Sequence, residues 1–271
     1  METAMDGSWE YYDLAQDQLK AFTRSAVRTK IMLRLKDGSM TAGDLSAEMK
    51  MRTSTILHSI KEMMDDDLVM KKGTSYSLTS IGKIQTILLD DLVAAIVLLD
   101  QYKDYWLKHD LSGIPESFLK NMGMITRSKK ITSDSKEPLK SLENFVKEIS
   151  NSNYIRGFSS FIAPGFADLI HDCAKRGAKI ELILTDEILA LVSKDQSAHL
   201  TELQDFENFK LYRFGSDINL SFTVTESLLA LGLYRIDGGI DLGSEIICIG
   251  DDAINWGEGL FEYYKRHSIL V

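Results

Sequence analysis

The residues whose type and spacing suit them to chemistry are hydrogen-bond donors and cations in the N-terminal third of the chain. Arg52, Thr53, Ser54 and Thr55 stand in a row, His58 and Lys61 follow, and Lys71-Lys72 form a basic pair further on. Such a set can donate to phosphate oxygens and reach base edges. Nucleophilic and metal chemistry find less support. His58, His109, His171, His199 and His267 are scattered, and His171 and Cys173 lie two apart, a spacing that does not share a helix face. No metal site is expected. Cys173 and Cys248 sit in apolar segments, as buried thiols do, and two cysteines cannot make a framework of bridges or a four-Cys zinc site. Gly238-Gly239 reads as a turn rather than a phosphate loop, and no cofactor is expected.

The elements that must position the donors follow from periodicity. Trp9 to Lys36 lacks Pro and Gly and carries apolar residues at roughly helical spacing. Thr41 can cap a short helix with Leu45 and Met49 on one face. After a break at Lys50-Met51-Arg52, Thr53 to Asp66 reads as a helix with Ile56, Ile60 and Met63 inward. Two β-prone runs, 68–72 and 75–79, flank Gly73-Thr74 as a hairpin, and a long helix follows from Ile81 to about Trp106. This order predicts a winged helix-turn-helix. In that arrangement the third helix points its N-terminal residues into the major groove, and the hairpin tip, with Lys71 and Lys72, meets adjacent phosphates. Double-stranded DNA is therefore the expected partner. Operators with two half-sites call for a homodimer, with the apolar faces of 14–22 and 88–99 at its interface.

The chain has 271 residues, 44% hydrophobic and 26% charged, which excludes a disordered, collagenous or disulfide-rich protein and favours two domains. Its net charge of −9 is unevenly spread. Residues 18–86 hold 12 Lys and Arg against 7 Asp and Glu, while the remainder holds 19 against 33. A basic segment on an acidic body suits a DNA-binding module joined to a different domain. The acidic start shows no leader peptide, and the apolar run 92–99 is far shorter than the ~20 residues of a membrane span, so a cytoplasmic protein without membrane contact is expected.

Residues 108–152 are the poorest in pattern and are assigned to a connecting segment between residues 1–107, the DNA-binding and dimerisation domain, and residues 153–271. From Tyr154 onward strands and helices alternate, predicting a sheet with helices on its faces; the fold class is α+β, a winged helix followed by an α/β domain. Strand ends at Asp186, Arg213, Asn219, Ser221, Glu226 and Tyr234 would line a polar pocket of mixed charge for a small polar ligand or a regulatory protein.

Several runs resemble known families. Asp44-Leu45-Ser46, Thr53-Ser54-Thr55-Ile56 and Tyr76-Ser77-Leu78-Thr79-Ser80-Ile81-Gly82 are similar to the ArsR-like winged-helix regulators of archaea and bacteria, over about residues 20–90. Asp65-Asp66-Asp67 departs from their acidic–small–Gly turn and leaves a non-glycine where positive φ is expected. The stretch 177–184 and the spacing of Asn219, Ser221 and Glu226 resemble phospholipase D-like domains, whose catalytic spacing is H-x-K-x-x-x-x-D. An amide cannot replace the nucleophilic imidazole, so catalysis is not expected. Leu184-Thr185-Asp186-Glu187 and the ending Ile249-Gly250-Asp251-Asp252-Ala253-Ile254-Asn255-Trp256-Gly257, with Leu260, Phe261 and Tyr264, resemble the methanogen regulators that join an ArsR-like winged helix to a domain of the filament-formation and methanogenesis regulator type. That resemblance implies transcriptional control of methanogenesis or methyl-transfer genes. The alternatives are a phospholipase D-like phosphodiesterase fused to a winged helix, and a winged-helix adaptor that binds protein.

Overall fold

The computed structural model describes residues 8–133, 136–137, 140–195 and 197–271, and side chains 8, 10, 21–24 and 197–198 lie outside the description. Two compact units emerge, 1–92 and 93–271. The boundary falls inside a helix, α5, and not at 107/108 as expected from sequence.

In the first unit α1 (Ser8–Arg24) and α2 (Ala26–Leu35) replace the single predicted helix. Ser25 is extended between them, and its side chain accepts from the Arg28 N–H to cap α2. β1 (Met40–Thr41) leads into α3 (Ala42–Met49), where Thr41 and Asp44 form a reciprocal capping box. Lys50 turns the chain in a left-handed conformation, and α4 (Thr53–Asp65) follows. β2 (Val69–Lys72) and β3 (Ser75–Leu78) form the hairpin, with sheet order β1-β3-β2. Ile31, Leu35, Leu45, Ile56, Ile60, Met63 and Tyr76 fill the core. These parts make a winged helix-turn-helix. Asp67 takes φ +58, as its place before the hairpin predicted. α5 (Ser80–Gln101) then starts against the hairpin base, where a Cβ on Gly82 would collide with the Leu68 carbonyl.

The second unit takes in the segment assigned to a connection. α6 (Lys103–Trp106), α7 (Glu116–Leu119) and a 3-10 turn (Met122–Ile125) place Tyr105, Trp106, Ile114, Met122 and Ile125 in its core. β4 (Ser128–Thr132) pairs with the sheet, and α8 (Lys140–Ser150) packs nearby. Residues 108–152 are therefore part of this unit and not a linker. The remaining elements are β5 (Tyr154–Ser159), α9 (Phe166–Lys175), β6 (Lys179–Thr185), α10 (Asp186–Asp195), α11 (Ser197–Gln204), β7 (Phe209–Phe214), β8 (Leu220–Thr225), β9 (Leu228–Leu233), β10 (Ser244–Ile249), α12 (Asp251–Arg266) and β11 (Ser268–Leu270). They build an eight-stranded sheet in the order β11-β7-β6-β5-β8-β9-β10-β4. β5, β6 and β7 are parallel, and all other pairings are antiparallel.

α12 buries Ala253, Trp256, Leu260, Phe261 and Tyr264 on one face of this sheet, and its acidic first turn and basic last turn both favour the helix dipole. α8 to α11 cover the other face over Ile155, Ile180, Leu182, Leu184 and Leu211. Among the described residues, no helix is long and apolar enough to cross a membrane.

Candidate functional site

α4 presents two faces. Ile56, Ile60 and Met63 are buried, while Arg52, Thr53, Ser54, Thr55, His58 and Lys61 are exposed. The turn into α4 is held by Ser46, whose hydroxyl donates to the Met51 carbonyl at 2.6 Å and accepts from the Thr53 hydroxyl at 3.0 Å. No side chain caps the α4 N-terminus, so backbone donors there remain open to solvent or ligand. His58 lies 3.5 Å from Glu62 one turn along. Across the hairpin, Lys71 and Lys72 pair in register with Tyr76 and Ser75 and are exposed, and Gly73 supplies the positive φ of the turn.

Several cations of this unit are ion-paired and others are not. Arg28 bonds Asp66, Arg34 lies 3.3 Å from Glu48, and Lys36 bonds Asp90. Asp90 and its neighbours hold the Lys36 pKa above its ordinary value, against burial. Among the described residues, Arg52, Lys61, Lys71 and Lys72 make no ion pair within 4.0 Å.

The six strand-end residues of the second unit do not all meet. Asp186, Arg213, Asn219, Ser221 and Tyr234 share the edge where the parallel strands end. Glu226 lies beyond the other end of β8, where its carboxylate accepts from the Asn153 and Tyr154 N–H groups at 3.0 and 3.3 Å. Seven residues of extended chain separate it from Asn219 by ~23 Å, so the H-x-K-x-x-x-x-D spacing spans the strand instead of closing on one point. The residues at the common edge have partners. Asn219 donates to Asp110 at 2.9 Å, and this bond with those from Ser112 holds the Asp110 carboxyl below its ordinary pKa. Arg213 pairs with Asp186 at 3.4 Å, Tyr234 donates to the Ser160 carbonyl at 2.7 Å, and Ser221 meets the Ser159 hydroxyl at 3.0 Å.

Sequence reading missed three groupings. Arg156 on β5 reaches Glu181 at 3.0 Å, Glu258 at 2.5 Å and Glu262 at 2.9 Å, while Lys265 also bonds Glu181. Burial pushes the Glu181 pKa up, but Lys265 and Arg156 outweigh it and hold the carboxyl low. His171 and His199, distant in sequence, stand 5.5 Å apart by ring centroid on α9 and α11, paired with Glu202 and Asp168. His109 stacks on Tyr105 and bonds Asp241 at 2.9 Å. No group of three or more His, Cys, Asp or Glu among the described residues is arranged to hold a metal. Cys173 and Cys248 are free, buried and in different cores; burial pushes the Cys248 thiol up to about 12.

The architecture defines a class: a winged helix-turn-helix joined to a mixed α/β unit. Residues 16–97 match the family described as methanogenesis regulatory protein FilR1, N-terminal domain, and residues 138–267 match its middle domain. Through these two domains the chain belongs to the FilR1 methanogenesis regulatory protein family. A curated relative of that name from Methanothrix harundinacea (strain 6Ac) is 35% identical over 255 residues, covering 93% of this chain. The chain spans 57% of that relative's length. Among solved structures it is similar to TrmBL2, described as an archaeal chromatin protein with a novel mode of DNA binding, at 13% identity and TM-score 0.44, covering 98% of this chain and all of that one. It is also similar to Nuc, a phospholipase D family member from Salmonella typhimurium, at 11% identity and TM-score 0.38, covering 53% of this chain and 98% of that one. Neither likeness bears on function at these scores.

Proposed function

We propose that this chain is a DNA-binding transcriptional regulator of methanogenesis or methyl-transfer genes, acting as a homodimer, with its second unit as a ligand- or partner-sensing domain. The observation that carries the reading is the unpaired set Arg52, Lys61, Lys71 and Lys72 on the two elements a winged helix offers to DNA. Thr53, Ser54, Thr55 and His58 stand among them as hydrogen-bonding groups for phosphates and base edges. The name of the 35% identical relative supports the regulatory role.

The homodimer draws support from α5, where Ile81, Ile84, Leu88, Leu92 and Ile96 form an exposed apolar stripe, and from exposed Leu14 and Leu19 on α1. The Phe22 side chain of that predicted face lies outside the described residues. ArsR-like character for the first unit belongs to the same reading. So does a phospholipase D-like second unit without catalysis: Asn219, Ser221 and Glu226 supply neither imidazole nor ammonium, and no phosphodiester hydrolysis follows. The edge residues Asp186, Arg213, Asn219, Ser221 and Tyr234 would face a small polar ligand or a partner protein. Gel shifts on genomic fragments at several salt concentrations test the reading. Retention that weakens with salt and selects particular fragments is expected. No retention at low salt would favour the protein adaptor.

A further inference from the structure

Between the sheet and its cover of α8 and the loops 160–165 and 240–243 lies a cavity of about 90 Å³. Its floor is made of small residues on three adjacent strands: Gly157, Ser221, Thr223, Ala230 and Gly232. Phe145, Phe161 and Phe166 form much of its wall. A second cavity of about 50 Å³, apolar and bordered by α9 to α11, shares Phe161, Phe166, Leu182 and Leu184 with the first.

Glu245 enters the first cavity from β10, and its Oε2 is buried without a hydrogen-bond partner. Burial pushes its pKa up to about 8. The other carboxyl in the lining, Asp241, is engaged by His109 and Ser244. Around Glu245, β9 brings Gly232, β4 brings Ile131 and α8 brings Ser141. Lys129 on β4 is exposed and makes no ion pair with it, while Tyr105 and Cys248 lie close enough to feel its charge. Among the described residues, no Lys, Arg or His lines either cavity. A buried carboxyl without a partner is costly, and the partner its surroundings lack is a cation. An anionic ligand would face the Asp241 and Glu245 carboxyls with no cation among the described lining residues to receive it.

We propose that this cavity binds a small aliphatic amine, its ammonium on the Glu245 carboxyl and its hydrocarbon chain running toward the second cavity. The proposal rests on reading the second unit as the ligand-sensing domain and names the chemical class of its ligand. Since ~150 Å³ holds a benzene, the two cavities admit roughly five or six non-hydrogen atoms. Binding exchanges one proton: the neutral acid releases it to solvent as the ammonium arrives.

The test is a thermal shift and calorimetric titration of the full chain with n-butylammonium chloride, against 1-butanol and sodium butyrate at matched ionic strength. The amine is expected to raise Tm by roughly 3 °C or more near saturation, with the alcohol and the acid weaker by at least tenfold. Calorimetry in two buffers of different ionisation enthalpy should show proton release. Glu245→Gln should abolish the amine's advantage, and Gly232→Val, which fills the cavity, should remove binding. Equal response to alcohol and amine, preference for butyrate, or an amine response unchanged in Glu245→Gln would each overturn the proposal. Gel shifts without amine report separately on DNA binding, so either reading can fail while the other stands.

Discussion

In the first unit Arg52, Lys61, Lys71 and Lys72 are exposed and make no ion pair within 4.0 Å among the described residues, whereas in the second Arg156 and Lys265 are held between the sheet and α12 by Glu181 and Glu258. The two sets differ in what it would cost to use them. An exposed, unpaired cation can be given to an external polyanion with gain from released counterions. A buried, paired one cannot leave without stranding the carboxylates it neutralises. Cations of the same type are therefore available to an external partner in one region and committed to internal pairs in the other, and burial decides which.

The contrast is broken most sharply at Arg156. Arg156→Ala leaves Glu181, with only 5% of its side chain exposed, one partner short, and strips Glu258 of its close cation. Stability should fall by about 3 kcal/mol in urea unfolding. Loss of less than about 1 kcal/mol would place this cluster with surface pairs.

Glu245 provides the next effect. Its folded pKa of about 8 lies above its ordinary value of 4.5, so between those values the folded chain keeps a proton the unfolded chain has released. Stability is full below that window and falls as pH rises through it, by up to ~1.4 kcal/mol per pH unit. Glu245→Gln should flatten this slope, measured as urea midpoints between about pH 5 and about pH 8. Parallel profiles for the two proteins would show that Glu245 is solvated.

A smaller change is expected at the hairpin. Lys71→Ala/Lys72→Ala should weaken binding to all DNA sequences alike and reduce the slope of log affinity against log salt by about two. Thr55 or His58 variants should alter sequence preference more than affinity. An unchanged slope would mean that the hairpin tip does not meet phosphates.

The smallest concerns the turn before the hairpin. Asp67→Gly relieves a positive φ and should raise stability by about 0.5 kcal/mol, read as a small rise in Tm. A fall would show that Asp67 contributes through its side chain.

Local signals in the chain were sufficient for the winged helix. The Ile56–Ile60–Met63 spacing, the Thr41 cap and the Gly73 turn act over a few residues, and each appears in the structure where periodicity and turn chemistry put it. Most strands of the second unit were legible for the same reason. β4 was not, because Ser-Lys-Lys-Ile-Thr has a single apolar residue and becomes a strand only by pairing with β10 at the sheet edge. Residues 108–125 likewise carry no periodicity, yet Ile114, Met122 and Ile125 find a core that α12 completes from more than a hundred residues away.

Long-range placement also governed the candidate sites. Spacing along β8 suggested one constellation, but a strand rising ~3.3 Å per residue carries Asn219 and Glu226 to opposite ends. The cavity beside Glu245 left only a faint trace in sequence, an acid at the head of the apolar run Ile246-Ile247-Cys248 and small residues at Ala230 and Gly232. Which of these face one another depends on strand order and register, and those are set by burying both faces of the sheet at once.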